Sequence, residues 1–398
     1  MPPKKVAAVV TEYRKWSHAD VILRNLLSGY PDGSRPNMQL VSLVTDQVPK
    51  NDMSRDLAKK YGFKICDTVA DALTLGGKGL AVEGVLSIGE HGQYPTNEKR
   101  QLLYPRRRFF ESICDVFEKT KSSVPVFNDK HLAATWADAK WMYDRARKLY
   151  VPFLAGSSIP VTWRKPHVVL PKGCELVGAV QIGYGPFEAY GFHALEGLQC
   201  MVERRKLASG GREPPEQGVT AVTCHTGKAM WEALDAHAWT KPLLEAGLKR
   251  ATAHAPGDMR ALTAKAADAG TFEIEYRDGF RAFVVLPNGW VHENEGSPFI
   301  FAGQRKGADN PDVCQFYLQQ PDPFAHFAEL TRAIDSLVGT GHAPYPVERT
   351  LLTTGVLDAA MTSRHEKGKR IATPHLAIAY APTEWGPAKG EIPKAVKP

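Results

Sequence analysis

From residue 5 to residue 156 the chain repeats one unit: a short unbroken apolar run, a polar turn, then an amphipathic helical stretch. The runs are KVAAVV, MQLVSLVTD, AVEGVLSIG, SVPVFND and VPFLAGSS. Between them lie SHADVILRNLL, DMSRDLAKKYG, RRFFESICDVFEKT and TWADAKWMYDRARKLY. A run that is apolar throughout suits a strand buried on both faces, and strands alternating with helices favour a parallel order. The unit therefore predicts a parallel sheet with helices on both sides. Local signals agree: Gly62 stops one helix, and Thr135 with Asp138 three residues on forms a capping-box start for another.

After residue 156 the texture changes. CELVGAVQIGYG reads as a strand, FHALEGLQCMVERR as a helix and LASGGREPPEQG as a surface loop. GVTAVTCH, TFEIEYRDGFRAFVVLPNG and VCQFYLQQ read as antiparallel strands, with Asp278-Gly279 as a hairpin turn. PFAHFAELTRAIDSLVG and PVERTLLTTGVLDAAMTSRHEKG close the chain as helices. The expected architecture is α/β. An N-terminal Rossmann-like parallel sheet domain (1–155) precedes an α+β domain (156–398) with a large, open, mainly antiparallel sheet, and the C-terminal helix packs back on the first domain. A length of 398 residues suits two domains.

The net charge of +7 comes partly from Arg106 to Arg108 and from Lys389, Lys394 and Lys397. No basic stripe is interleaved with aromatics, so nucleic acid is not an expected partner. No apolar run is long enough to span a membrane, and MPPKKVAAVV is too short in its apolar part for a signal-peptide core. The six cysteines form no CxxC pair and fit a reduced, cytoplasmic protein.

The first strand-to-helix turn, in VAAVVTEYRKWSHADVI, contains no glycine. A dinucleotide fingerprint needs glycine so that backbone can approach the diphosphate. Here Thr11, Glu12, Tyr13 and Arg14 stand instead. Glu12 would repel phosphate, Arg14 and Lys15 would attract it, and Asp46 ends the second strand where an acid holds the ribose of NAD. Asp46 reads equally well as a turn or cap residue. Glu12, Arg14 and Asp46 are thus the cofactor candidates. A second feature is SIGEHGQYP, which brings Glu90 and His91 to the carboxyl edge of the sheet, where Glu12, His18, Asp129 and His131 also arrive. Imidazoles and carboxylates so gathered suit a divalent metal; they also suit substrate hydroxyls or helix caps. Tyr94, Arg106, Trp163, Arg164 and Tyr190 are the substrate-contact candidates, an arginine being able to clamp a carboxylate or phosphate. A solvated helix start (Arg106) or hinge packing (Trp163, Arg164) explains the same residues. Tyr104, His225 and Lys228 carry no motif.

VPVFNDKHLAATWADAKWMYDRARKLYVPFLAG, GPFEAYGFHALEGL and the closing helix, Gly-Pro turn and long helix together resemble the glucose-fructose oxidoreductase and inositol dehydrogenase family (Gfo/Idh/MocA) across almost the whole chain. The family's Glu-Lys-Pro stands here as Asp129-Lys130-His131. Its Asp-x-Gly-x-His-x-x-Asp stands as Ala189, Gly191, His193 and Glu196. The resemblance implies NAD or NADP as cofactor, and oxidation or reduction of a carbon in a sugar, polyol or other polar small molecule. It implies Lys130 and His193 as the acid/base residues, and a homodimer or homotetramer formed through the open sheet face. Taken by themselves, a lysine at a parallel strand's carboxyl end faces the ligand crevice and a histidine exchanges protons near neutrality; a surface ion pair and a boundary histidine are the plainer alternatives. Three readings stand. They are an NAD(P)-dependent oxidoreductase, a nicotinamide-independent and metal-dependent hydrolase, lyase or isomerase, and a metabolite-binding sensor.

Overall fold

The computed structural model describes residues 2–206, 214–251, 253–293, 296–320 and 322–395. Most of the LASGGREPPEQG loop, and Lys397, fall outside the described residues.

Strands β1 (Lys4–Val10), β2 (Met38–Thr45), β3 (Lys64–Ile65), β4 (Gly84–Ile88), β5 (Val126–Asp129) and β6 (Phe153–Gly156) form one sheet in the order β3-β2-β1-β4-β5-β6. Every neighbouring pair in it is parallel. The apolar runs explain this: Val6 to Val10 and Val85 to Ile88 are fully buried, so both faces need cover. That cover comes from α1 (His18–Ser28), α2 (Ser54–Tyr61), α3 (Val69–Thr74), α4 (Arg106–Thr120) and α5 (Trp136–Lys148). Thr135 caps α5 by accepting from Asp138 N (3.2 Å), and its hydroxyl donates to the Asp138 carboxylate (3.0 Å). The strand order reverses at β1, with β2 and β3 added on one side and β4, β5 and β6 on the other. A crevice forms at the carboxyl ends there.

The second sheet runs β14-β9-β10-β11-β8-β12-β13-β7. Its strands are β7 (Trp163–Lys165), β8 (Leu176–Ile182), β9 (Val219–Thr226), β10 (Gly270–Tyr276), β11 (Arg281–Leu286), β12 (Gly296–Arg305), β13 (Asp312–Leu318) and β14 (Ile371–Ala372). Pairing is antiparallel except between β11 and β8. The Asp278-Gly279 turn joins β10 to β11, with Gly279 at a φ of 84° that favours glycine. Helix α6 (Ala189–Val202) covers one face. The expected open face is not open. Helices α7 (Lys228–Asp235), α8 (Thr240–Leu248) and α9 (Met259–Thr263) lie between β9 and β10, and α7 and α8 pack on that sheet. Gln181 lies against Gly197 of α6, while the next residue, Ile182, lies against Gly247 of α8. Successive strand residues face opposite ways, so both faces are covered. Periodicity does not reveal β12 or these helices: both faces of β12 are buried, and so GSPFIFAGQR shows no alternation.

Two helices bind the sheets together. In α10 (Ala325–Thr340), Thr331 Oγ1 accepts from Asn25 Nδ2 of α1 (3.2 Å). Helix α11 (Val347–His365) packs against α5, β6, α6 and β9. None of the described helices is long and apolar enough to cross a membrane. All six cysteines are free, and all but Cys174 are buried.

Candidate active site

The glycine-free turn is filled by its own side chains. Tyr13 is wholly buried, and Thr11 Oγ1 donates to Glu90 O (2.5 Å). Trp16 takes a φ of 64°, a conformation that usually favours glycine. Glu12 is 6% exposed and accepts from Arg14 Nε (2.5 Å), so its charge is matched locally. Arg14 Nη2 lies 3.5 Å from His91 Nδ1. At the start of α1, Ser17 Oγ accepts from Arg14 N (3.3 Å) and Asp20 N (3.3 Å), and Asp20 Oδ2 accepts from Trp16 N (2.8 Å). Amides that a helix start could offer to a phosphate are thus occupied by side-chain oxygens.

Asp46 follows β2. Both its oxygens accept from Arg108 Nη2 (2.7 Å each), and Oδ2 accepts from Tyr94 Oη (2.7 Å). Gln47 and Gln93 exchange two hydrogen bonds across the same gap, each 2.9 Å. The Tyr94 hydroxyl is therefore held by the residue that follows β2. Beside this tie a pocket of about 550 Å³ is lined by Val9, Asp46, Val69, Ala70, Arg108 and Phe109, among others.

Lys130 follows β5 and donates its backbone N–H to Gly156 O (3.1 Å), holding a left-handed φ of 67°. Left-handed backbone at a non-glycine residue costs energy and concentrates at functional sites. Its side chain, 7% exposed, meets His193 of α6: Nζ and Nε2 are in direct hydrogen-bond contact. Burial and the charge of Lys130 hold the His193 ring well below the usual imidazole range, so the ring is neutral and Nε2 accepts. Tyr190 (6.0 Å between ring centroids) and Phe299 (5.8 Å) flank that ring, and Tyr184 packs on both. His326, at the start of α10, is buried nearby and pushed down to about 3 by burial and by His18.

Around this pair the charges are matched side by side. Arg106, 1% exposed, donates to Glu90 Oε2 and lies 3.0 Å from His131 Nε2; that nitrogen is 3.1 Å from Glu188 Oε1. Burial alone would raise the Glu90 carboxyl, but Lys130 and Arg106 outweigh it and hold it well below the usual range. His18 Nδ1 lies 2.7 Å from Asp129 Oδ2. His91 is pushed down to about 4 by burial and by His18. Glu12, His18, Glu90, His91, Asp129 and His131 do reach one edge, but not as a ligand shell. Among the described residues no three His, Cys, Asp or Glu side chains are arranged to hold a metal ion. Glu12, Glu90 and Asp129 each face an arginine, lysine or histidine instead.

Arg106 is buried between Glu90 and His131. Trp163 and Arg164 follow the packing alternative. Trp163 packs with Tyr317, Ala325 and Ala388. Arg164 donates to Val168 O (2.9 Å) and Pro160 O (3.5 Å) and covers Phe316, while its buried Nε has no partner. Glu188, Phe299 and His326 join the site without any sequence signal, because they reach it only through packing of the second sheet and α10.

No protein-family model and no curated protein matches the sequence. Solved structures do match. GenD2 from gentamicin A biosynthesis, in complex with NAD, superposes with a TM-score of 0.55 at 13% identity, over 94% of this chain and 97% of that one. A putative myo-inositol dehydrogenase from Sinorhizobium meliloti 1021 gives 0.57 at 11% identity, over 93% and 99%. Myo-inositol dehydrogenase from Lactobacillus casei, in complex with NAD(H) and myo-inositol, gives 0.55 at 9% identity, over 93% and 96%. The chain has the fold of these proteins. The likeness covers both sheets, which places the Lys130–His193 pair inside a shared architecture.

Proposed function

We propose that the chain is an oxidoreductase that moves a hydride between NAD or NADP and a hydroxyl-bearing carbon of a sugar-like or other polar small molecule. The observation that carries this reading is the contact between Lys130 and His193. Two proton-handling groups meet at the carboxyl edge of a parallel sheet, where ligands of such folds lie. Among neighbours of the same fold, GenD2 is in complex with NAD and the Lactobacillus casei myo-inositol dehydrogenase with NAD(H) and myo-inositol, which supports the cofactor and the substrate class.

In this reading Lys130 hydrogen-bonds the reacting oxygen and His193, neutral, shares its proton. Tyr190 and Phe299 offer an apolar wall to the C–H face of the substrate, and their bulk excludes water. The adenosine of a nicotinamide dinucleotide suits the pocket of about 550 Å³ beside Asp46 and Arg108. Arg14 and Lys15 are the cations available to its diphosphate in place of glycine backbone. When bound, the cofactor supplies the hydride acceptor.

A second reading is nicotinamide-independent acid/base chemistry at the same pair. It is favoured by one observation: Ser17 and Asp20 already occupy amides at the start of α1. Calorimetric titration of the protein and of Glu12→Gly with NAD and NADP, with and without chelator, separates the two. Saturable nucleotide binding that ignores chelator and is unchanged or tighter in Glu12→Gly is expected. Absence of binding by either protein sinks the hydride-transfer reading.

A further inference from the structure

A pocket of about 330 Å³ opens among α7, α8 and α9, on the face of the second sheet opposite α6. Its floor is apolar. Trp231, Leu234 and Leu244 are buried, and Leu248 and Met259, half-buried, pack on the same core. The polar atoms nearest that floor are engaged in the fold: Trp231 Nε1 donates to Thr263 Oγ1 (3.0 Å), and Thr240 Oγ1 donates to Leu234 O (2.5 Å). A ligand body that enters must therefore be apolar, because a polar group buried there finds no partner. The volume lies at the small end of the range for small-molecule sites, roughly 300–1,000 Å³. Four charged residues line the same pocket. Asp235 and Arg260 close on each other through two hydrogen bonds of 2.6 Å, and Arg260 lies over the Trp231 ring (4.7 Å). Lys241 and Glu245 stand one turn apart on α8 and do not close. Neither side chain has a hydrogen bond or ion pair among the described residues. On α7, Lys228 and Glu232 have the same order and spacing and meet at 2.9 Å. Helix geometry permits such a pair, so the pocket keeps one open cation and one open anion.

We propose that this pocket is a second, non-catalytic binding site, and that its ligand is an apolar α-amino acid of leucine or phenylalanine size. The apolar side chain fills the floor between Trp231 and Leu244. Glu245 accepts from the ammonium group, and Lys241 donates to the carboxylate. An aliphatic carboxylate would leave Glu245 without a partner beside it, and an alkylamine would leave Lys241 so; the zwitterion satisfies both. The proposal does not rest on the hydride-transfer reading. Helix α8 packs on Ile182 and α6 on Gln181, so a ligand held by α8 lies across the sheet from His193.

Calorimetric titration of the whole chain with L-leucine and with L-phenylalanine tests this. The expected result is saturable binding of at least one of them, and none of glycine, which lacks the apolar body. N-acetyl-leucine and leucinamide each lack one charge and should bind about tenfold more weakly or worse, since each loses a charge-assisted hydrogen bond. Lys241→Ala and Glu245→Ala should weaken amino-acid binding by about the same factor. Both side chains are exposed, so the fold is kept, which circular dichroism checks. Absence of saturable binding by both amino acids overturns the proposal. Binding that ignores both substitutions overturns it too, because the amino acid then sits elsewhere. Hexanoate binding as tightly as leucine does the same, because the two open charges then select nothing.

Discussion

Glu196 should make the fold less stable as pH rises, and replacing it with glutamine should remove that dependence. The residue is fully buried on α6, where its Oε2 accepts from Ser157 N (2.5 Å) and its Oε1 lies 3.3 Å from Thr350 Oγ1. Thr350 already donates its one hydrogen to Ala155 O (2.9 Å), so it meets Glu196 best as an acceptor, which requires a protonated carboxyl. Burial pushes the carboxyl up to about 7 from its usual 4.5. The sign follows from linkage. A folded pKa above the unfolded one gives stability that is complete below about 4.5 and lost as pH rises through about 7. The full span corresponds to about 3 kcal/mol, an order-of-magnitude figure for a buried group. Glu196→Gln keeps a donor for Thr350 and cannot ionise. Urea unfolding of both proteins at pH 5, 6, 7 and 8 reads the difference. The gap should widen in favour of Glu196→Gln by about 1–3 kcal/mol between pH 5 and pH 8. Parallel stability curves would refute the reasoning. The site is involved as well: a Cβ on Gly156 would lie 2.6 Å from Glu196 Oε1, and Gly156 O holds the backbone of Lys130.

Further outcomes follow from other contacts. Lys130→Ala and His193→Ala should each lower nucleotide-linked turnover by about 10²-fold or more with the fold intact, since positioned proton transfer is worth that much; undiminished turnover in either variant removes that residue from the chemistry. Arg106→Leu should cost about 3–5 kcal/mol in denaturant unfolding, because it leaves Glu90 buried with only Lys130, 4.0 Å away, to balance it; a loss under about 1 kcal/mol would show that the cluster rearranges freely. Because α7 and α8 cover the sheet face through which the resemblance implied assembly, light scattering should find a single chain in solution; a dimer that protects α8 from hydrogen exchange would contradict this.

The sequence by itself determined the parallel sheet, because strands buried on both faces must be apolar throughout, and that demand is local. It determined the Asp278-Gly279 hairpin for the same reason: the turn's backbone conformation is a property of two adjacent residues. The family resemblance drew attention to Lys130 and His193 as well, and the structure brings the two side chains into contact. Only the tertiary structure decided what the charged residues do. Glu12 turns to Arg14, Asp46 to Arg108 and Asp129 to His18, and the last two partners lie 62 and 111 residues away. A carboxylate at a strand end reads alike in sequence whether it meets a metal, a ribose or an arginine. Burial makes pairing obligatory, but packing chooses the partner. Trp163 and Arg164 became interior residues on the same principle, and α10 carried His326 into the site from the far end of the chain.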